Sequence, residues 1–320
     1  MDMFNMAKQN RILEIQVGSR LYGTSNDDPT KGKLSDTDYS GVFVADLSCY
    51  IGFNHVEEVD FSKISKLENG QNAPDAIDKK LYEVKKFLRL AMDNNPNIIE
   101  HVFVNEKNIV YSNHWGKEIL RYAKLFPHKG CFEKFIGYAT SQKHKMIIKR
   151  DNMEFIEAAI EFFSKQDPKS LMAEHKQMFG LCKFKFNNNH VTIGDMAIQL
   201  NINVKRALEQ LNERKDKFGS RHELVSKHGY DTKFASHLIR LLKEGEDLLK
   251  YGELTFPLPQ AELILDIKQG KYSVEEVMHM ATMTEDDMRC ALNESKLPSG
   301  PRVWNIEQLL LQIIRGHHNF

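Results

Sequence analysis

The stretch Arg11-Ile12-Leu13-Glu14-Ile15-Gln16-Val17-Gly18-Ser19-Arg20-Leu21-Tyr22-Gly23, followed at a short distance by Ser35-Asp36-Thr37-Asp38, carries most of the information in this chain. Ile12, Glu14 and Gln16 alternate with Leu13, Ile15 and Val17, which predicts a strand that ends at Gly18. Glycine there lets backbone amides approach an anion with no side chain in the way, and Ser19 adds a hydroxyl donor. A helix beginning at that point adds further amides facing the same anion. Asp36 and Asp38 fall at i and i+2 of a second extended segment, Asp36 to Val44, so their carboxylates project to one face. Such a pair repels itself unless a cation lies between the two groups. Magnesium suits the position, since it prefers hard oxygen ligands and is commonly held by one or two carboxylates together with substrate phosphates. Gly-Ser alone is usually a turn and Asp-x-Asp alone a solvated loop; their order, strand then Gly-Ser then loop then Asp-x-Asp on a strand, defines a phosphoryl-transfer site.

Outward from this core, Asn26 to Gly32 is rich in turn formers and predicts an exposed loop, and the polar segment Lys63 to Asp75 predicts a second. A helical period takes over at Leu81, with Val84, Phe87, Leu88 and Ala91 on one side, and ends at Asn94-Asn95-Pro96. Helices are expected over Trp115–Phe126, Phe132–Arg150, Glu154–Ser164, Val204–Phe218, Thr232–Tyr251 and Ile306–Ile314, with two short ones at Tyr272–Met280 and Asp286–Leu292. Strands early and helices later predict an α+β protein: a small mixed-sheet core over residues 1–112, a mainly helical domain over 113–270, and a helical extension over 271–320.

Composition narrows the function classes. The 320 residues carry 44 basic and 44 acidic side chains, a balance that argues against nonspecific coating of nucleic acid. No apolar run spans a bilayer and the N-terminus has no secretory pattern, so a cytoplasmic location without membrane contact is expected. Cys49, Cys131, Cys182 and Cys290 form no Cys-x-x-Cys pair and are expected as buried thiols. Charge is uneven locally. Residues 27–60 carry a net of minus six, suited to metal, and residues 131–150 a net of plus four, suited either to phosphate or to a solvated helix face. On the helix from Thr232, Lys233, His237, Arg240 and Glu244 fall at steps of four, three and four along one stripe, with His237 between two cations, and Phe234, Leu238, Leu241 and Leu242 form the opposite, buried stripe. His317 and His318 are expected in a frayed tail, and His144 and His175 as surface or satisfied core residues.

Gly18-Ser19 through Gly23 with Asp36-Thr37-Asp38 resembles the signature of polymerase-beta-type nucleotidyltransferases, and specifically the RNA-repair-pathway branch found in bacteria and their phages. Further likeness lies in Leu81 to Ala91 with Asn95-Pro96-Asn97, in Gly137-Tyr138-Ala139 with Gln142-Lys143, in Lys227-His228-Gly229-Tyr230-Asp231 with Lys233, and in Phe256-Pro257. The resemblance implies two magnesium or manganese ions held by Asp36, Asp38 and a third acid on the strand before residues 81–93, either Asp78 or its competitor Asp75. It also implies a nucleoside triphosphate bound by Gly18, Ser19, Arg20, Tyr22 and Gly23, with Lys233, His237 and Arg240 on its far side. An RNA end is the expected acceptor, met by Gln142, Lys143 and Lys145. Nucleotidylation of a protein or small molecule, or a silent nucleotide-binding regulator, are the competing functions; the oligomeric state is left open.

Overall fold

The structure, a computed structural model, describes residues 2–25, 37–63, 76–175, 186–187, 189–217, 225 and 227–320. Asp36, Asp75, Cys182 and the expected loop at Asn26 to Gly32 lie outside the described residues. The described residues fall into two compact units, one built from the described parts of residues 1–67 and 72–141 with 236–320, the other from those between 142 and 235. The segments 1–112, 113–270 and 271–320 therefore stand as a proposal about roles and not about packing units.

The first unit holds a five-stranded mixed sheet in the order β3-β4-β2-β1-β5, where β1 is Arg11–Val17, β2 Thr37–Phe43, β3 Glu58–Asp60, β4 Ile77–Glu83 and β5 Ile109–Ser112. β1 pairs antiparallel with both β2 and β5, β2 runs parallel to β4, and β3 closes the other edge antiparallel to β4. Directly paired residues share a face, so the register puts Val17, Ile15 and Leu13 on the same side as Asp38, Ser40 and Val42, and these beside Asp78 and Lys80. Leu81, Phe43 and Val59, on the other side, are buried with Met6 and Ala7 of the helix Met3–Gln9.

That second face also carries a buried ion set. Glu14 receives both Lys79, at 2.8 Å to each oxygen, and Arg11, whose guanidinium lies 4.4 Å over the Tyr111 ring. Gly41, paired with Glu14, places no side chain in this set. The lysines that make β4 unusually polar are thus used inside the sheet, Lys79 on Glu14 and Lys80 on Glu58.

Several expected elements are redrawn. Leu81, Tyr82 and Glu83 belong to β4; the helix starts at Val84 and ends at Met92, because the Glu83 carboxylate accepts from the Lys85 and Lys86 amides and caps it. The two helices expected across Phe132–Ser164 are one, Cys131–Phe163, and the two short C-terminal helices are one, Val274–Glu294, opened by a Ser273–Glu276 capping box. The tail is not frayed: Val303–His318 is helical and His318 Nε2 lies 3.0 Å from the Ala45 carbonyl. Of the thiols, Cys131 is buried, Cys49 half-buried and Cys290 exposed.

The second unit contains a small sheet with no counterpart in the expectations: Phe186–Asn187, His190–Ile193 and Met196–Gln199. Val191, Ile193 and Ile198 pack with Ile156, Phe163, Val204 and Leu211 into its own apolar core. His175 is satisfied by Ser170 Oγ at 2.7 Å and by the rings of Phe162 and Phe163.

A β-carbon at Gly41 would lie 2.4 Å from the Leu13 carbonyl and 2.6 Å from the Leu81 side chain. Gly41→Ala is therefore expected to destabilise the folded state by about 1–3 kcal/mol through overpacking. Urea unfolding checks this; an unchanged midpoint contradicts the register given above.

Candidate active site

Asp38 and Asp78 are direct partners across the parallel pair β2 and β4. Neighbouring strands lie about 4.8 Å apart, so the two carboxylates stand side by side on one face. Asp78 is not loose: Ser62 Oγ donates to its Oδ1 at 3.0 Å, and the Lys79 amide donates to Ser62 Oγ at 3.1 Å. Ser62 is a residue that sequence reasoning passed over, since a serine after Phe61 carries no pattern of its own. Among the described residues no group of three or more acids, histidines or cysteines is gathered at metal-binding distance. The pair Asp38 and Asp78 is what the described residues supply, with Asp36 two positions before Asp38.

Gly18 abuts this pair. Its φ of 69° and ψ of −149° belong to a region open essentially to glycine, and a β-carbon there would lie 2.3 Å from Asp38 Oδ2. The chain then makes a single helical turn, Ser19–Tyr22, closed by Gly23 in the left-handed region at φ 76°. One turn is too short for a sizeable macrodipole, so what it can offer an anion is backbone amides at its N-terminal end. A donor set of two hard carboxylates, beside a turn that tolerates no side chain, fits a divalent cation with a bound polyphosphate.

The turn is held from behind by residues far along the chain. Pro257 sits where a Gly23 β-carbon would meet it at 2.7 Å, and the Leu258 amide donates to the Tyr22 carbonyl at 3.1 Å. Asn105 Nδ2 donates to the Phe256 carbonyl at 2.9 Å. Phe256-Pro257, quoted above for its family likeness, is thus part of the support of the Gly-Ser turn. Asn95 and Tyr138, from two other such stretches, are joined by a 3.0 Å hydrogen bond. Asp231 caps the helix Thr232–Tyr251 through the amides of Lys233 and Phe234.

That helix is buried nearly all round and not on one stripe. Arg240 is 6% exposed and Glu244 0%. Arg240 Nη1 reaches Glu100 Oε2 at 3.1 Å and both Glu244 oxygens at 2.9 and 3.0 Å, and the guanidinium lies 4.3 Å over the Tyr22 ring. Tyr22 donates its hydroxyl to Glu100, 2.9 Å from each oxygen. Burial raises both carboxyls above the usual range against the pull of Arg240, and raises the Tyr22 hydroxyl well above its own. Arg240 stays charged: burial opposes it, but Glu244, Tyr22 and Glu100 outweigh that cost. His237, also in the first unit, is half-buried; Lys233, exposed, and Gln142, Lys143 and Lys145 belong to the second unit.

His101 lies within 3.4 Å of Ser40 Oγ and stacks on Phe87. Its Nε2 is 3.6 Å from Glu100, but burial pushes its pKa down to about 3, so the ring is neutral there. Glu100 is already occupied by Tyr22 and Arg240, which agrees with a neutral ring.

With fold and site described, the comparisons assign the chain to a class, the polymerase-beta-like nucleotidyltransferases. Residues 2–294 match the RNA repair pathway DNA polymerase beta family, and the chain belongs to it. It is 23% identical over 312 residues to an uncharacterized 38.9 kDa protein encoded in the nrdC-mobD intergenic region of Enterobacteria phage T4, covering 89% of this chain and 90% of the relative. Against solved structures, a nucleotidyltransferase-like protein from Exiguobacterium sibiricum 255-15 aligns over 98% of this chain and 77% of its own, at 11% identity and a TM-score of 0.26.

Two outcomes follow. Gly18→Ala carries a backbone strain of about 1–3 kcal/mol and pushes into Asp38; magnesium-ATP is expected to raise the melting temperature of the wild type and not that of the variant, and equal shifts contradict the cradle. A His101 whose folded pKa is lowered binds its proton more readily when unfolded, so stability falls as pH drops from about 6.5 toward 3, by up to roughly 1.4 kcal/mol per pH unit. Urea titrations across that range should show the slope, and it should flatten in His101→Gln.

Proposed function

We propose that the chain is a divalent-metal-dependent nucleotidyltransferase that moves a nucleoside monophosphate from a triphosphate to an acceptor hydroxyl, with an RNA end as the acceptor. The observation that carries this reading is the in-register placement of Asp38 and Asp78 against a glycine that can bear no side chain. Family membership supports the reaction class.

In this reading Asp36, Asp38 and Asp78 hold the metal, two magnesium or manganese ions; bound there, they neutralise the triphosphate and the charge that develops at the α-phosphorus. Gly18, Ser19, Arg20, Tyr22 and Gly23 form the polyphosphate side of the site, with Lys233 and His237 assigned to the nucleotide and Gln142, Lys143 and Lys145 to the acceptor; Arg240, expected at the nucleotide, is held by Glu100 and Glu244 and serves the site from behind Tyr22. Ser62 holds Oδ1 of Asp78, and the proton of the attacking hydroxyl is taken by the Asp78 carboxylate through Oδ2. A bond forms between that oxygen and the α-phosphorus, the bond from the α-phosphorus to the bridging oxygen breaks, and pyrophosphate leaves. The reaction is assigned to the cytoplasm; among the described residues no helix is long and apolar enough to cross a membrane.

Incubation with α-labelled nucleoside triphosphates, magnesium, and either total tRNA or a protein extract identifies the labelled fraction. Label in tRNA is the expected result, lost on chelation and lowered about 100-fold or more in Asp38→Asn and in Asp78→Asn, the scale for removing a group that stabilises transition-state charge. Label in the protein fraction favours protein nucleotidylation. No label in either, with wild type equal to the double variant, leaves a nucleotide-binding regulator.

A further inference from the structure

The two halves of the site are on different pieces of chain, the Gly18–Gly23 turn and the strands that carry Asp38 and Asp78. Gly18 and Gly23, at the two ends of the polyphosphate turn, both have positive φ. Inside it the backbone contributes the Tyr22 amide to the Gly18 carbonyl at 3.1 Å and the Thr24 amide to the Ser19 carbonyl at 2.9 Å. Productive in-line geometry needs these halves held at a fixed separation, since a misplacement of about 1 Å costs on the order of 100-fold in rate.

A single 3₁₀ turn, Glu100–Phe103, touches both. Glu100 receives the Tyr22 hydroxyl, 2.9 Å from each oxygen, and so grips the polyphosphate turn; the next residue, His101, meets Ser40, two positions along β2 from Asp38 and on the same face. Both residues are at least 95% buried. We propose that Glu100 and His101 are positioning residues of the reaction, a rigid link that sets the distance between the Gly18–Gly23 turn and the carboxylates of Asp38 and Asp78. This rests on the nucleotidyltransferase reading.

The chemistry of the link fits the task. Two carboxylates around one guanidinium are a costly way to fill a core, and apolar groups of similar volume often stabilise as well or better. What the ion set adds is direction. Arg240 fixes Glu100 from one side while lying flat on the Tyr22 ring, so the hydroxyl and the ring are both registered to the same carboxylate. Arg240, in this account, acts through Tyr22 and not through direct contact with phosphate. Glu244 serves as an internal control: it engages Arg240 through both oxygens, and none of its hydrogen bonds goes to Tyr22.

The test uses the full chain with α-labelled nucleoside triphosphates, magnesium and the acceptor fraction that wild type labels. Tyr22→Phe removes one hydroxyl and keeps the ring. Its kcat is expected to fall at least tenfold while its KM for the triphosphate changes less than threefold. Glu100→Gln, which still accepts from Tyr22, should retain more of kcat than Glu100→Ala. Glu244→Gln should lower the melting temperature at least as far as Tyr22→Phe but leave kcat within twofold of wild type. A Tyr22→Phe enzyme with wild-type kcat overturns the proposal, as does a Glu244→Gln enzyme that loses kcat in step with its stability. A wild-type protein that labels no acceptor removes the underlying reading instead, and this inference with it.

Discussion

Two like charges facing one another from adjacent strands, Asp38 and Asp78, are the constraint around which the rest of the first unit is arranged. In the proposed reaction a cation between the two groups relieves their repulsion. Gly18 is kept without a side chain because Asp38 occupies the space. Ser62 ties one oxygen of Asp78. Parallel pairing of β2 with β4 is itself required: it brings two carboxylates separated by 40 positions to the same level on one face.

A second buried set of charges does different work. Tyr22, Glu100, Arg240 and Glu244 come from three elements and meet where the Gly18–Gly23 turn meets the helix Thr232–Tyr251. Hydrogen bonds to buried charged groups are directional and costly to leave unmade, so the bond to Glu100, with Arg240 over the ring, specifies one arrangement of Tyr22, while Glu244 balances the charge of Arg240. Pro257 and Leu258 press on the same turn from the other side. Residues from the beginning, middle and end of the chain thus converge on six residues of backbone.

The alternation of Arg11 to Val17 and its stop at Gly18 were legible because strand period and glycine freedom are local properties. So was the α+β class, with its five-stranded mixed sheet followed by helices. The third acid could be narrowed to two by resemblance, but a pairing register is a long-range property, and the partnership of Asp78 with Asp38 could not be seen from spacing. Arg240, on the stripe of Lys233, His237, Arg240 and Glu244, shows a related limit. A cation every few residues has the same period on a wet face as in a core where Glu100 and Glu244 neutralise it, and the acid that decides between them lies 140 residues away. Leu81 suited a helix by period, yet Glu83 caps the helix two residues later. The short strands around His190 and Met196 escaped notice because two to four residues are too few to display a period.

The most direct test of the central claim is anomalous diffraction from crystals soaked in manganese and a non-hydrolysable nucleoside triphosphate analogue. The account predicts a manganese peak bridging one oxygen of Asp38 and one of Asp78, with the triphosphate against the Gly18–Gly23 turn. A peak elsewhere, or the two carboxylates turned apart with nucleotide bound away from Gly18, would contradict it.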